Sequence, residues 1–283
     1  MSGGMLPSSS LWNGISYGVV TTNGNYAIGT VVAPSATAAT KGSWVSLGTL
    51  SADAVALRIS VAVCYESKTG GTGAFDIGIG GSGSQVVLAP NIVCPYNSGN
   101  SSISYVQFLL PMQLPSGVQV WARSACSAAS AAGTYVASFS AFDGEYTAEG
   151  YGGVDALGFT AGTLVGTSFT TTGTGAKGSY SQIIASTTRD YGMLAICLDQ
   201  GTAGLSTSNV VTVDIAIGGA GSEKIIAPDV LLVVNNNYNS GSATSAGPFP
   251  VEVPSGSRIA VRGACDSAIA ALTFGATIYG VYK

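Results

Sequence analysis

The sequence predicts an all-β protein built as two tandem jelly-roll-like β-sandwich domains related by internal duplication. Three observations lead there. Short runs with period-2 alternation, rich in β-branched and aromatic residues, are separated by clusters of Gly, Pro, Asn and Ser. Stretches with a helical period are missing, and the Ala-rich piece from Ser127 to Ala132 is short and broken by Ser. The chain is also written twice: Asp76-Ile-Gly-Ile-Gly-Gly-Ser-Gly-Ser84 recurs 138 positions on as Asp214-Ile-Ala-Ile-Gly-Gly-Ala-Gly-Ser222.

The first unit holds runs near 27–32, 43–49, 55–65, 74–80, 85–88, 104–110, 118–124 and 134–142. Eight short strands point to a sandwich of the jelly-roll type. The punctuation repeats too. Ala89-Pro90 returns as Ala227-Pro228, and Pro115-Ser-Gly117 as Pro254-Ser-Gly256. Arg123 and Cys126 return as Arg262 and Cys265, Lys41-Gly-Ser-Trp44 as Lys177-Gly-Ser-Tyr180, and Gly144-Glu-Tyr146 as Gly280-Val-Tyr282. Pro90 and Pro228, which cannot donate to a ladder, are expected to end their strands, and Pro-Ser-Gly reads as a tight turn.

Each unit is about 130 residues long, an ordinary domain size. Acids and glycines concentrate between Asp143 and Asp155. The expected organisation is therefore an N-terminal arm without a counterpart over 1–20, a first sandwich over 21–146, a linker over 147–156 and a second sandwich over 157–283. Alternation assigns the faces. Phe75, Ile77 and Ile79, Val213, Ile215 and Ile217, and Val120, Ala122, Ile259 and Val261 face the cores, so Asp76, Asp214, Arg123 and Arg262 point outward.

Only 24 of the 283 residues are charged, about 8% against roughly 25% in an ordinary soluble domain. With 46% apolar residues and a net charge of -4, the composition is that of a chain with a large core, not of a disordered one. The mildly acidic balance has no basic stripe for nucleic acid. No apolar run reaches the ~18–20 residues of a membrane span, and residues 1–10 lack the regions of a secretion signal, so neither a membrane nor export is expected.

Histidine is absent, which removes the commonest general base and metal ligand. No catalytic, cofactor-binding or metal-binding residue is expected. Asp76 with Arg123, and Asp214 with Arg262, are opposite charges kept in both units. An Arg fork suits a carboxylate, and no second acid stands by for hydrolysis, so an ion pair is expected, either structural or between subunits. Cys64, Cys94, Cys126, Cys197 and Cys265 show no C-x-x-C spacing and read as buried free thiols. The glycine runs at 78–83 and 218–221 lack the Lys-Ser/Thr and the helix of a phosphate loop and read as strand connections. Trp44, replaced by Tyr180, reads as a core or interface aromatic. Trp121, on the outward face beside Arg123, is the candidate for contact with a neighbouring subunit or a glycan. The Asn-rich stretches 97–102 and 235–241 read as solvated loops.

Phe75-Asp-Ile-Gly-Ile-Gly-Gly-Ser-Gly-Ser84, Ala89-Pro90 and Leu114-Pro-Ser-Gly-Val-Gln-Val-Trp-Ala-Arg123, with the second copy from Asp214 to Ser222 and from Val253 to Arg262, resemble a repeated β-sandwich module of tailed-bacteriophage virion proteins. The two copies cover most of the chain. The resemblance implies a non-enzymatic particle protein, commonly a homotrimer, assembled in the host cytoplasm and resident in the virion. Its implied stations are capsid decoration (cement) or minor capsid protein, or alternatively a head or tail fibre or tail component binding carbohydrate. Implied partners are other copies of itself, major capsid or tail proteins and, for a fibre, host surface polysaccharide. It carries over no catalytic residue. Sandwich edges expose unpaired backbone groups that soluble proteins often guard with charge. With little charge available, the outer faces carrying Asp76/Arg123 and Asp214/Arg262 and the N-terminal arm are expected to meet neighbours.

Overall fold

The computed structural model describes residues 14–17, 29–65, 72–94, 103–128, 133–143, 151–173, 175–199, 209–237, 240–242, 244–266 and 272–282. These residues form twenty strands and no helix. In the first unit, β1 (Gly14–Tyr17) and β2 (Thr30–Val31) both pair with β9 (Gly133–Phe142), followed by β4 (Ala56–Tyr65) and β7 (Ile103–Leu110). The facing sheet runs β3 (Val45–Thr49), β8 (Gln119–Cys126), β5 (Gly73–Ile79), β6 (Val86–Cys94). Two antiparallel sheets that divide eight strand positions in this order form a jelly roll.

The second unit repeats the order. On one sheet, β10 (Gly153–Leu157) and β11 (Thr167–Thr170) pair with β20 (Thr273–Tyr282), then come β14 (Tyr191–Asp199) and β18 (Thr244–Val253). On the other, β12 (Thr172–Gly173) and β13 (Ser181–Ile184) pair with β19 (Ile259–Cys265), followed by β15 (Asn209–Ile217), β16 (Lys224–Asn237) and β17 (Ser240–Ser242). Among the described strands only β12 lies parallel to its partner. The protein is thus all-β, two tandem jelly rolls related by duplication.

The cores follow the alternation. Phe75, Ile77, Val120 and Ala122 are buried with Ile59 and Phe139, and Val213, Ile215, Ile259 and Val261 with Ile196 and Phe274. The glycine runs are hairpin turns: Gly80 and Gly83 take φ of 114° and 82°, Gly218 and Gly221 113° and 82°, values that only glycine adopts without strain.

Several expectations need correction. Pro90 and Pro228 do not end their strands. Ile77 pairs with Ala89 and Phe75 with Ile92, so Pro90 and Asn91 together oppose Asp76 in a bulge of edge strand β6. Pro228 and Asp229 do the same opposite Asp214, and Asn91 and Asp229 both have left-handed φ, 51° and 48°. The linker over 147–156 overlaps a strand, because residues 153–156 belong to β10, paired along β20. Nor is the arm over 1–20 without a counterpart. Gly14–Tyr17 lines β9 just as β10 lines β20, and the rest of the arm lies outside the described residues. The repeat of Gly144 at Gly280 is out of register: Gly280 pairs with Leu194 and Ala141 with Leu57, so Gly280 takes the place of Ala141. The Asn-rich stretch 235–241 is a hairpin of β16 and β17 where it is described, while 97–102 lies outside the described residues.

The two sandwiches share an apolar seam. Thr277, Tyr279 and Val281 lie on the outer side of β20, opposite the second core, and Tyr279, Val281, Ala195, Cys197 and Val154 join the first unit's core cluster. The Tyr279 ring meets Phe108 edge-on at 4.8 Å. Its hydroxyl accepts from Val93 N–H (2.8 Å) and donates to Asn91 C=O (2.9 Å), while Cys197 Sγ donates to Val93 C=O (3.6 Å). The edge of β6 is thereby closed by side chains of the other unit. Tyr279→Phe leaves the Val93 N–H and Asn91 C=O without this partner inside an apolar seam. It is expected to lower unfolding stability by about 2 kcal/mol in chemical denaturation, with the far-ultraviolet spectrum unchanged.

Candidate functional site

Asp76 and Arg123 sit opposite each other on β5 and β8, and Asp214 and Arg262 on β15 and β19. Arg123 Nε lies 2.8 Å from Asp76 Oδ2, and Arg262 Nε 2.9 Å from Asp214 Oδ2. Both pairs are within the chain. Both carboxylates are also more enclosed than outward-facing strand residues would suggest, with Asp76 4% and Asp214 3% exposed.

The cover comes from the segment before β3. Residues 32–42 run beside β8, with Gly42 N–H donating to Ser124 C=O (2.8 Å) and Ala39 N–H to Cys126 C=O (2.6 Å). This path brings Lys41 Nζ to 2.8 Å from Asp76 Oδ1 and to 3.1 Å from Ala74 C=O. The bulge supplies a third donor, Asn91 N–H, at 2.9 Å from Oδ1. The Arg123 guanidinium stacks on the Trp44 ring, 4.5 Å from its centre.

The second unit rebuilds the cluster piece by piece. Lys177 Nζ is 3.2 Å from Asp214 Oδ1, Asp229 N–H donates to the same oxygen at 2.9 Å, and Arg262 stacks on Tyr180 at 4.7 Å. One residue differs in kind: Asp229 replaces Asn91 and adds a carboxylate 3.0 Å from Lys177.

Burial alone would push the Asp76 carboxyl up, but Lys41, the Asn91 N–H and Arg123 outweigh it and hold the group below the usual carboxylate range. Asp214 is likewise held down, against its burial, by the Asp229 N–H, Arg262 and Lys177. Burial lowers the Lys41 ammonium, and Asp76 only partly restores it. Carboxylates so fully engaged, one per sandwich, are not free to take a proton from a substrate. They pin a crossing segment, a bulge and two strands together.

Trp121 does not form the outward contact aromatic that its position suggested. It is 8% exposed, and its indole N–H donates to Gly80 C=O (2.7 Å), so the ring lies down against the hairpin. Cys94, Cys126, Cys197 and Cys265 are buried thiols outside any disulfide; the Cys64 side chain lies outside the described residues. Burial raises the Cys197 thiol well above its ordinary value. Among the described residues, no group of three or more His, Cys, Asp or Glu is placed to hold a metal.

A groove of about 530 Å³ runs along the seam between Lys41, Asp76 and Arg123 on one side and Asp155, Arg189 and Tyr282 on the other. Its far wall is also internally paired: Arg189 Nε is 3.0 Å from Asp155 Oδ2, Tyr191 O–H donates to that oxygen at 2.8 Å, and Arg189 stacks on Tyr282 at 4.1 Å. Burial and the Asp155 carboxylate both raise the Tyr191 phenol above its ordinary value.

The recurrence of Lys41/Lys177 and Trp44/Tyr180 was the signal that these residues belong with Asp76 and Asp214. Tyr279 and Cys197 gave no such signal, since repetition reveals only what both units share.

No protein-family model matches the chain, and no curated protein matches it in sequence. Among solved structures it is similar to PNGF-II (9% identity, 85% of this chain, TM-score 0.37), of whose chain it spans 59%. It is also similar to a chain of the Sulfolobus Turreted Icosahedral Virus structure (10% identity, 96% of this chain and 90% of that one, TM-score 0.36). A third is the CBM22 tandem domain from Paenibacillus barcinonensis Xyn10C (10% identity, 97% and 91%, TM-score 0.25). With TM-scores this low none of these likenesses identifies a relative, and the chemistry of the chain has to be read from its own residues.

Two outcomes follow from the clusters. Gly78 is where Trp44 lies on the sheet: a Cβ there would come 2.8 Å from the indole ring, whereas the second unit has Ala216 at the matching position and the smaller Tyr180 in place of Trp44. Gly78→Ala is expected to cost about 1–3 kcal/mol in denaturant unfolding, and Gly78→Ala with Trp44→Tyr to recover part of it.

The depressed carboxyls stabilise the fold fully above their unfolded value, about 4, and this contribution is lost as pH falls through the lower folded values. Asp76→Asn with Asp214→Asn takes the carboxylate from Lys41, Arg123 and Arg262, whereas Lys177 keeps Asp229; the loss at pH 7 is expected to be about 3 kcal/mol at Asp76 and smaller at Asp214. In an acid titration followed by circular dichroism the double variant should also show a shallower decline below pH 4.

Proposed function

We propose that this chain is a non-enzymatic structural protein of a virus particle, and specifically a capsid decoration or minor capsid protein of a tailed phage, acting through contacts between subunits. The observation that carries this reading is where the charge goes. Six of the ten Lys and Arg residues, Lys41, Arg123, Lys177, Arg189, Arg258 and Arg262, are tied up in ion pairs within the chain. An already sparsely charged protein thus spends most of its cations inside itself. Such a surface suits permanent neighbours better than open solvent.

The jelly-roll pair and the sequence resemblance to phage virion modules support the same reading. The partners it implies are other copies of the chain, as a homotrimer, and major capsid proteins. Its place is the virion, after assembly in the host cytoplasm. The fibre or tail alternative, with binding of host polysaccharide, loses its aromatic platform with the burial of Trp121 and would have to use the groove beside Tyr282.

Mass spectrometry of purified particles tests the reading. Hundreds of copies per particle are expected for decoration and a few to dozens for a tail component, as order-of-magnitude values for symmetric assembly. Absence from the particle removes the reading.

A further inference from the structure

The duplication allows each surface of one unit to be compared with its counterpart in the other, and one pair of edges differs sharply. In the first unit the edge of β6 is sealed by the outer face of the second unit's sheet, and Val93 is 0% exposed. The matching residue in the second unit, 138 positions on, is Leu231, which is 63% exposed. Its flanking residues behave alike in both units: Ile92 and Cys94 are buried, as are Val230 and Leu232. Val210 and Val233, a cross-strand pair beside Leu231, are exposed as well. Pairing of β17 with β16 covers Asn235–Asn237, and among the described residues no strand pairs with β16 beside Leu231 on that side. An apolar strand edge of this kind is a template for another surface.

On the counterpart of the sealing face Arg58 is the exposed residue: it lies over Ser140, which is 8% exposed, and donates to its hydroxyl at 3.3 Å. Tyr279 pairs with Ala195 across β20 and β14, as Ser140 pairs with Arg58 across β9 and β4. Arg58 therefore stands where the second unit has Ala195, next to Ser140 where it has Tyr279. Arg58 is exposed and reaches over Phe142, its guanidinium 5.9 Å from the ring centre. The substitutions are matched in charge. Within the chain, neutral Ala195 and Tyr279 face an edge that carries Asn91; outside the seam, Arg58 has its counterpart in Asp229, which pairs with Lys177 through one oxygen at 3.0 Å and whose side chain is still 73% exposed.

From this correspondence we propose that the β16 edge around Leu231 docks the outer face of the β1-β9-β4-β7 sheet of a second copy of this chain, repeating between molecules the seam that joins the two units. Arg58 of one copy then lies at Asp229 of the next, and Leu231 is covered as Val93 is. The contact is head-to-tail, so it generates a ring where the rotation closes and a filament where it does not. It deepens the structural reading above by naming the partner and the surface, and it moves the self-contact away from the Asp76 and Asp214 faces, which the chain covers itself.

Sedimentation velocity of the full chain over a range of concentrations tests it. The wild type is expected to form multiples of its 28.1 kDa mass. Leu231→Asp and Arg58→Glu, both at exposed positions, should each move association at least tenfold higher in concentration with melting unchanged. Val86→Asp, at an apolar site exposed on β6 away from the contact, should not. A mixture of Leu231→Asp with Arg58→Glu should give a two-chain species and nothing larger, since one intact edge and one intact face remain between the two. A wild type that stays monomeric at every concentration, variants that assemble like the wild type, or a mixture that stays monomeric each overturn the proposal. Particle mass spectrometry reads independently of all three, so the virion reading can stand or fall apart from this surface.

Discussion

A carboxylate buried on the outer side of a β-sheet stays ionised only if cations and N–H groups are brought to it, and much of this architecture is arranged around two of them. For Asp76, the neighbouring strand contributes Arg123, the crossing segment before β3 contributes Lys41, and the bulge at Pro90 turns the Asn91 N–H inward. Each donor fixes a different piece of chain. Removing the charge would loosen a segment, a bulge and a strand pair together, which is how one small side chain comes to organise a whole face. Asp214 repeats the arrangement with Lys177, Arg262 and Asp229.

The same economy governs the seam. An edge strand needs its outward N–H and C=O groups covered, and a chain with few charges meets that need by laying one sheet across another. Two side chains do the polar part: the Tyr279 hydroxyl both accepts from and donates to β6, and Cys197 Sγ donates to Val93 C=O, within a contact built mostly of apolar side chains. The duplication thus made two similar sandwiches and then differentiated them. Ser140 and Arg58 mark the unsealed face of the first, and Tyr279 and Ala195 the sealing face of the second.

Much of the fold was legible from alternation and repetition. Phe75 and Ile77 beside Asp76 report one buried side of β5, and their recurrence at Val213, Ile215 and Asp214 reports that two units fold alike. The pairing of Asp76 with Arg123 was legible for the same reason. Pro90 was misread as a strand end because a missing N–H looks the same in sequence at a terminus and in an edge bulge; only the pairing of Ile77 with Ala89 and Phe75 with Ile92 tells them apart. Trp121 was misread because alternation gives the side of a sheet and not what lies over that side.

The sequence by itself determined the strands, the doubling and the residues that recur, since periodicity and repetition are local properties of a chain. Tertiary structure alone decided which outward faces are covered. The carboxylates of Asp76 and Asp214 are enclosed by segments that cross from elsewhere in the chain. The edge of β6 is closed by Tyr279, 186 residues from Val93. Burial depends on what arrives from a distance, and no pattern of neighbours along the chain encodes that arrival.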